Sequence, residues 1–204
     1  IWLRFLKLQI PFLLRHKANF GDLETWMVWG NVAINHQKNL TDKISFKLSN
    51  NFFSYGDAEF LFNFVRYTKP QNIIEVGSGE STKVMSAAIT FNQKEIYKTI
   101  NHVCIEPFEH KWLENFSSIT LERKKIEELN LDLFQNLISG DLLFIDSSHI
   151  IRPQGDVLFE LLEIIPSLKK GVYVHIHDIF TPHDYPEQWL KKWVTFWNEQ
   201  YLLE

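Results

Sequence analysis

The chain has 204 residues, about the size of one domain at roughly 100 to 200 residues each, so a single hydrophobic core is the default expectation. With 45% apolar and 15% aromatic residues it is a globular sequence and not a disordered one, and its net charge of −4 excludes an overall polycationic nucleic-acid binder. The lone Cys104 cannot form an internal disulfide and no Cys/His cluster has zinc-finger spacing, which favours a reducing, cytoplasmic setting.

The first 15 residues, IWLRFLKLQIPFLLR, are apolar but interrupted by Arg4, Lys7 and Arg15, and no apolar run is long enough to span a membrane. A first residue of Ile suggests an excerpt of a longer chain. Residues 1–56 lack strand periodicity and scatter Trp2, Trp26 and Trp29 among polar residues; they read as an N-terminal helical cap or lid on a domain covering 57–204.

From about residue 71 short β-rich runs alternate with helical stretches, the signature of an α/β fold with a doubly wound, mostly parallel sheet. Strands are predicted at 72–76, 102–106, 119–123, 141–146 and 171–177, and helices at 57–68, 81–92, 108–115, 128–139 and 156–169. The last helix carries Leu158, Leu161, Leu162 and Ile165 at helical spacing, with Gly171 as a stop signal. After Pro186, Trp189, Trp193, Trp197 and Tyr201 recur every four residues, which predicts one helix with an aromatic stripe packed on the sheet or on a partner.

The strongest local signal is IIEVGSGEST, residues 73–82. A β-branched run ends in Glu75, and Gly77, Ser78 and Gly79 then lead into an apolar helix that Ser81 or Thr82 can cap. Two glycines permit a tight turn and let backbone N–H groups approach a ligand, so the turn reads as a nucleotide or nucleoside pocket at the carboxyl end of the first strand. Glu106 ends the next strand, where a carboxylate can accept hydrogen bonds from both hydroxyls of a ribose.

Parallel strands present their carboxyl ends on one rim, so Asp146, Ser147, Ser148 and His149 from the fourth strand should meet His177 and Asp178 from the fifth. Asp146, His177 and Asp178 form a candidate ligand set for Mg²⁺ or another divalent cation, with open positions for water and a substrate oxygen. His149 is a candidate general base beside Asp146, since its ordinary pKa lies near neutral pH. His175 is expected on the opposite face from His177, packed under a helix. Asp57 reads as a helix N-cap.

Taken together, these residues resemble the class I S-adenosylmethionine-dependent methyltransferases over residues 57 to about 190. Glu75-x-Gly77-x-Gly79 is similar to their first motif, with Ser81 where a third glycine is common; Glu106 is similar to their ribose-binding acid, and the segment from Asp141 to Asp146 to their fourth-strand motif. The strings IDSSHI, HIHDIF and DYPEQW most resemble a bacterial group of small domains related to the catechol and macrolide-sugar O-methyltransferases.

The resemblance implies a Rossmann-like methyltransferase fold and S-adenosyl-L-methionine held by Glu75, Gly77, Ser78, Gly79, Ser81, Thr82, Glu106 and Asp146. It further implies catalytic roles for Asp146 and His149 and O-methylation of a small molecule or sugar. In the metal-dependent members an Asp after the fourth strand and an acidic pair after the fifth hold Mg²⁺, which implicates Asp146, His177 and Asp178 with His177 in place of an acid. It brings the turn at Asp57 toward the methionine end of the cofactor, places adenine contacts near residues 125–127, and makes 183–189 a loop over the acceptor. The superfamily sheet ends with a sixth and an antiparallel seventh strand, which this sequence does not supply. No nucleic-acid partner or membrane span is expected, and a homo-oligomer is compatible. Two alternatives stay open: a nicotinamide-dependent oxidoreductase, and a non-catalytic cofactor-binding domain of a larger assembly.

Overall fold

The computed structural model describes residues 46–204 apart from 48 and 54, so nearly all of the expected N-terminal cap lies outside the described residues. The fold is built on five strands, β1 (Asn72–Val76), β2 (Asn101–Ile105), β3 (Thr120–Glu122), β4 (Leu142–Ile145) and β5 (Tyr173–Ile176), in the order β3-β2-β1-β4-β5. Every pairing is parallel. The predicted α/β class and the strand segments agree with this architecture.

The sheet is covered on both faces because its central strands are apolar on both. On one face Ile73, Leu142 and Phe144 pack under α1 (Tyr55–Thr68) and α2 (Glu80–Ile96); on the other Ile74, Val76, Ile105, Leu143 and Ile145 join Phe134 and Ile164. In α1 the residues Ala58, Leu61, Phe62 and Val65 recur every three to four positions and are buried, which docks the helix against α2 and the sheet. Phe46 and Phe53 belong to the same core, so the domain extends upstream of residue 57.

The chain runs β1, β2, β3 outward, then returns to place β4 beside β1 on the other side. That reversal opens a crevice at the carboxyl ends of β1 and β4. Register brings the ends level: Val76 pairs with both Ile105 and Ile145, and Ile145 pairs with Ile176. Residues 77, 106, 146 and 177 therefore leave the sheet on one rim.

Several expected helices are shorter. The segment 108–115 contains a single 3₁₀ stretch, Lys111–Asn115. The segment 128–139 contains α3 (Asp132–Gln135), set off by the Asn130 side chain, which accepts the Asp132 N–H and starts a new turn. The helix expected at 156–169 begins as α4 (Asp156–Phe159), widens to π geometry at Glu160–Ile164 and ends as α5 (Ile165–Ser167). Pro166 supplies no N–H and its ring crowds the carbonyl of Leu162, so the turn before it loosens. The buried stripe becomes Val157, Leu161 and Ile164, while Leu162 is exposed.

The aromatic stripe is not one helix. A π-turn at Trp189–Trp193 stops at Val194, whose φ is +56°, and α6 (Gln200–Leu203) starts afresh. The intervening chain is pulled onto the loop after β4, where Asn198 and Glu199 donate backbone N–H groups to the carbonyl of His149. The aromatics still cluster, with Trp189 against Trp193 and Trp197, and Tyr185 against Trp197 and Tyr201. Among the described residues the sheet has five strands and ends at β5, whose Tyr173 and Val174 are exposed.

Candidate active site

The glycine turn is fixed from both neighbours. Gly77 donates its N–H to Ile105 of β2, and Asp146, just past β4, donates to the Val76 carbonyl. Gly77 has φ +78° and lies so close to β4 that a Cβ would sit 1.8 Å from the Asp146 carbonyl oxygen, so only glycine fits. Gly79 is also tight, with a Cβ position 3.1 Å from His110 Nε2.

Beneath the turn lies a buried knot centred on Glu75, which is fully buried. One carboxyl oxygen accepts the hydroxyls of Ser81 (2.6 Å) and Thr82 (3.0 Å) from the first turn of α2. The other lies 2.9 Å from His102 Nε2 and 3.2 Å from Cys104 Sγ on β2. Thr82 Oγ1 in turn accepts the Gly79 N–H at 3.0 Å. Burial and the adjacent Glu75 carboxyl push the Cys104 thiol well above its ordinary pKa, so it stays protonated and inert. Glu75, His102 and Cys104 are close enough to share a cation, but their hydrogen bonds account for them as a brace tying β1, β2 and α2 together.

Above the brace a cleft is lined by Phe52, Phe53, the residues from Gly77 through Ser81, Glu106, Glu109, His110 and Asp146. Of the residues assigned to the cofactor from sequence, Gly77, Ser78, Gly79, Ser81, Glu106 and Asp146 face this cleft, whereas Glu75 and Thr82 support it from below. Glu106 Oε1 accepts the backbone N–H groups of Phe108 (2.9 Å) and Glu109 (2.8 Å), which fixes the carboxylate at the end of β2. Residues 125–127 and 183–189 are not among the lining.

At the far lip stands a charged cluster. His177 Nδ1 lies 3.5 Å from Asp146 Oδ1 and 3.4 Å from Asp178 Oδ2, and its Nε2 is 3.6 Å from Asp57 Oδ1. Asp57 thus sits within the first turn of α1, not before it, and faces this imidazole. Phe53 packs its ring on His177 at 4.9 Å. Burial alone would lower the His177 pKa, but Asp146, Asp178 and Asp57 outweigh it and raise it well above the ordinary value.

His149 occupies the other side of Asp146, with Nε2 3.2 Å from Asp146 Oδ1 and Nδ1 2.9 Å from Glu199 Oε2. Burial opposes its charge, yet the two carboxylates push its pKa up to about 9. Both ring nitrogens are engaged and the residue does not line the cleft, which leaves no free lone pair for the base role expected of it. Burial would raise the Asp146 carboxyl, but the His149 and His177 imidazoles beside it reverse this and hold it well below its ordinary range.

His175 corrects the sequence reading. Residues two apart on a strand share a face, and the rings of His175 and His177 lie nearly parallel, 6.4 Å apart. His175 packs on Phe60 of α1 and on Phe144, and burial there, aided by the charge of His177, drops its pKa to about 3. Its expected place under a helix agrees; its expected face does not.

Sequence reasoning missed Phe53, His110, the ionic role of Asp57, and the pair Trp197 and Glu199. The last two were hidden inside the aromatic stripe, where a single acid among tryptophans carries no periodic signal.

The chain is 28% identical over 88 residues to the protein translocase subunit SecA of Alcanivorax borkumensis, a stretch covering 41% of this chain and 10% of that protein. The chain thus spans about a tenth of that relative, and the likeness carries no functional argument. No solved structure matches it. A family model described as a methyltransferase domain matches residues 74–179, from β1 through the glycine turn, Glu106 and Asp146 to the residue after Asp178. That match spans just over half of the chain and every strand that builds the cleft, and the chain belongs to this family of methyltransferase domains.

Proposed function

We propose that the chain is an S-adenosyl-L-methionine-dependent methyltransferase acting on an oxygen of a small molecule or sugar, with a divalent cation at the acceptor end of the cleft. One observation carries the reading: Asp146 both lines the glycine cleft and belongs to the Asp146, His177 and Asp178 cluster, so a nucleoside cofactor and a cation would meet at one carboxylate.

The residues fit both groups. Gly77 lets the turn lie directly against the backbone after β4, where a Cβ would collide with the Asp146 carbonyl, and Glu106 has one oxygen committed to backbone and the other left to accept from a ribose. In the cluster, His177 Nδ1 is buried and makes no hydrogen bond, though two carboxylate oxygens lie within 3.5 Å. Separations near 3.4 Å are those of ligands about 2.1 Å from a shared tetrahedral ion. A set of two carboxylates and an imidazole favours Mn²⁺ or Zn²⁺ over Mg²⁺.

When bound, the cofactor supplies an already activated methyl group and the cation lowers the pKa of an acceptor hydroxyl. The chain's own part is alignment: the glycine turn and Glu106 hold the nucleoside, the buried Phe53 keeps water from one wall, and Asp146 is kept ionised toward the cleft by two imidazoles. The test is a calorimetric titration with S-adenosyl-L-methionine, with and without Mn²⁺. Saturable one-site binding is expected. Mn²⁺ should raise the melting temperature of the wild-type chain but not of Asp178→Asn; no cofactor binding by the folded protein overturns the reading.

A further inference from the structure

Glu199 lies 50 residues after His149 in sequence yet is fully buried against it. Its Oε2 meets His149 Nδ1 at 2.9 Å, while its Oε1 is buried with no hydrogen-bond partner. A half-satisfied interior carboxylate opposes folding, and an apolar or amide side chain of similar size would fill the space at lower cost. The fold nevertheless grips this arrangement from every side. The Trp197 ring lies 4.3 Å from the imidazole, the His149 carbonyl accepts the N–H groups of Asn198 and Glu199, and Asn198 Oδ1 accepts the Ile151 N–H. His149 itself is held at φ +58°.

The neighbouring residues repeat the pattern. Ser147 Oγ donates to Glu160 at 2.9 Å in the π-turn, and Ser148 donates from Oγ and N–H to Asp156. Each of the three residues after Asp146 is thus tied to its own acid behind the loop, and His149 alone passes that tie back to Asp146, at 3.2 Å.

We propose that Glu199 is a positioning residue of the methyltransferase site: through His149 it fixes the Asp146 carboxylate at the junction of cofactor cleft and cation cluster. The proposal rests on the functional reading above for what Asp146 does, but not for the relay itself. The Glu199 hydrogen bond to Nδ1 fixes the ring so that Nε2 points at the Asp146 carboxylate, 3.2 Å away.

The test compares wild type with E199Q, which keeps the shape and an acceptor for Nδ1–H, and with E163Q, an exposed acid on the same half of the fold, as control. In proton NMR, wild type should show a strongly deshielded ring N–H assigned to His149 by its loss in H149Q, and E199Q should move it upfield. Mn²⁺ affinity by calorimetry should fall at least ~10-fold in E199Q and stay unchanged in E163Q, the size expected when a partner behind a ligand is removed. Unmoved affinity in E199Q, with wild type binding Mn²⁺, overturns the proposal. If wild type binds no Mn²⁺, the cation reading fails separately and the ring proton decides: a wild-type spectrum without it overturns the relay even if E199Q does not fold.

Discussion

The two halves of the rim are built by different physics. Around the glycine turn, short-range hydrogen bonds dominate: a brace of hydroxyls, an imidazole and a thiol converges on Glu75 from within 30 residues of sequence and holds the turn in place. Beyond Asp146 the site is made of charges drawn from Asp57, Asp146, His149, His177, Asp178 and Glu199, spread over the whole described chain. The first half is preorganised by shape, and its failure would be loss of fold. The second is preorganised by charge balance, and its failure would be loss of ligand in an intact fold.

The sharpest way to break the contrast is Gly77→Ala, which forces a Cβ into the Asp146 carbonyl at positive φ and should cost about 3 kcal/mol or more. A thermal melt should show the loss, and a melting temperature within a degree of wild type would refute the shape argument. Next, Glu75→Ala strips the acceptor from Ser81, Thr82 and His102 in a dry site and should cost ~3 kcal/mol in urea unfolding. Glu106→Ala should leave the fold intact and weaken S-adenosyl-L-methionine binding by ~1.5 to 3 kcal/mol, read by calorimetry.

The mildest change goes the other way. Burial, with Asp156 and Glu199 nearby, raises the Glu160 pKa from the ordinary 4.5 to about 8, against the hydrogen bond from Ser147. Because the folded state binds the proton more tightly, stability is greatest below pH ~4.5 and is lost as pH rises toward ~8. Glu160→Gln keeps an acceptor for Ser147 and removes that penalty, so it should gain ~1 to 3 kcal/mol at pH 7.5 and little at pH 4.5. A variant that gains equally at both pH values would point to packing and not charge.

The same contrast explains what was legible. Strands and the glycine turn were readable because β-branched runs and Gly-x-Gly are local patterns set by backbone sterics. Asp146, His177 and Asp178 came together as expected, since strand-end register follows from parallel topology alone. The aromatic stripe misled because tertiary hydrogen bonds from Asn198 and Glu199 to the β4 loop override a helical period. His149 changed character for the same reason: its second carboxylate arrives from a segment no spacing rule connects to it. His175 shares the face of His177 because residues two apart on a strand point the same way, as their nearly parallel rings show.

The Glu75 brace also equips the protein with its own reporter. Cys104 is the sole cysteine in the sequence, lies fully buried one residue from the end of β2 and keeps its proton. A thiol-specific dye can reach it only when the packing of β1, β2 and α2 around Glu75 opens, so the rate of labelling in native buffer measures how often that brace comes apart. Cofactor that grips the glycine turn should slow that labelling in proportion to its occupancy, giving a readout of binding that needs no acceptor substrate.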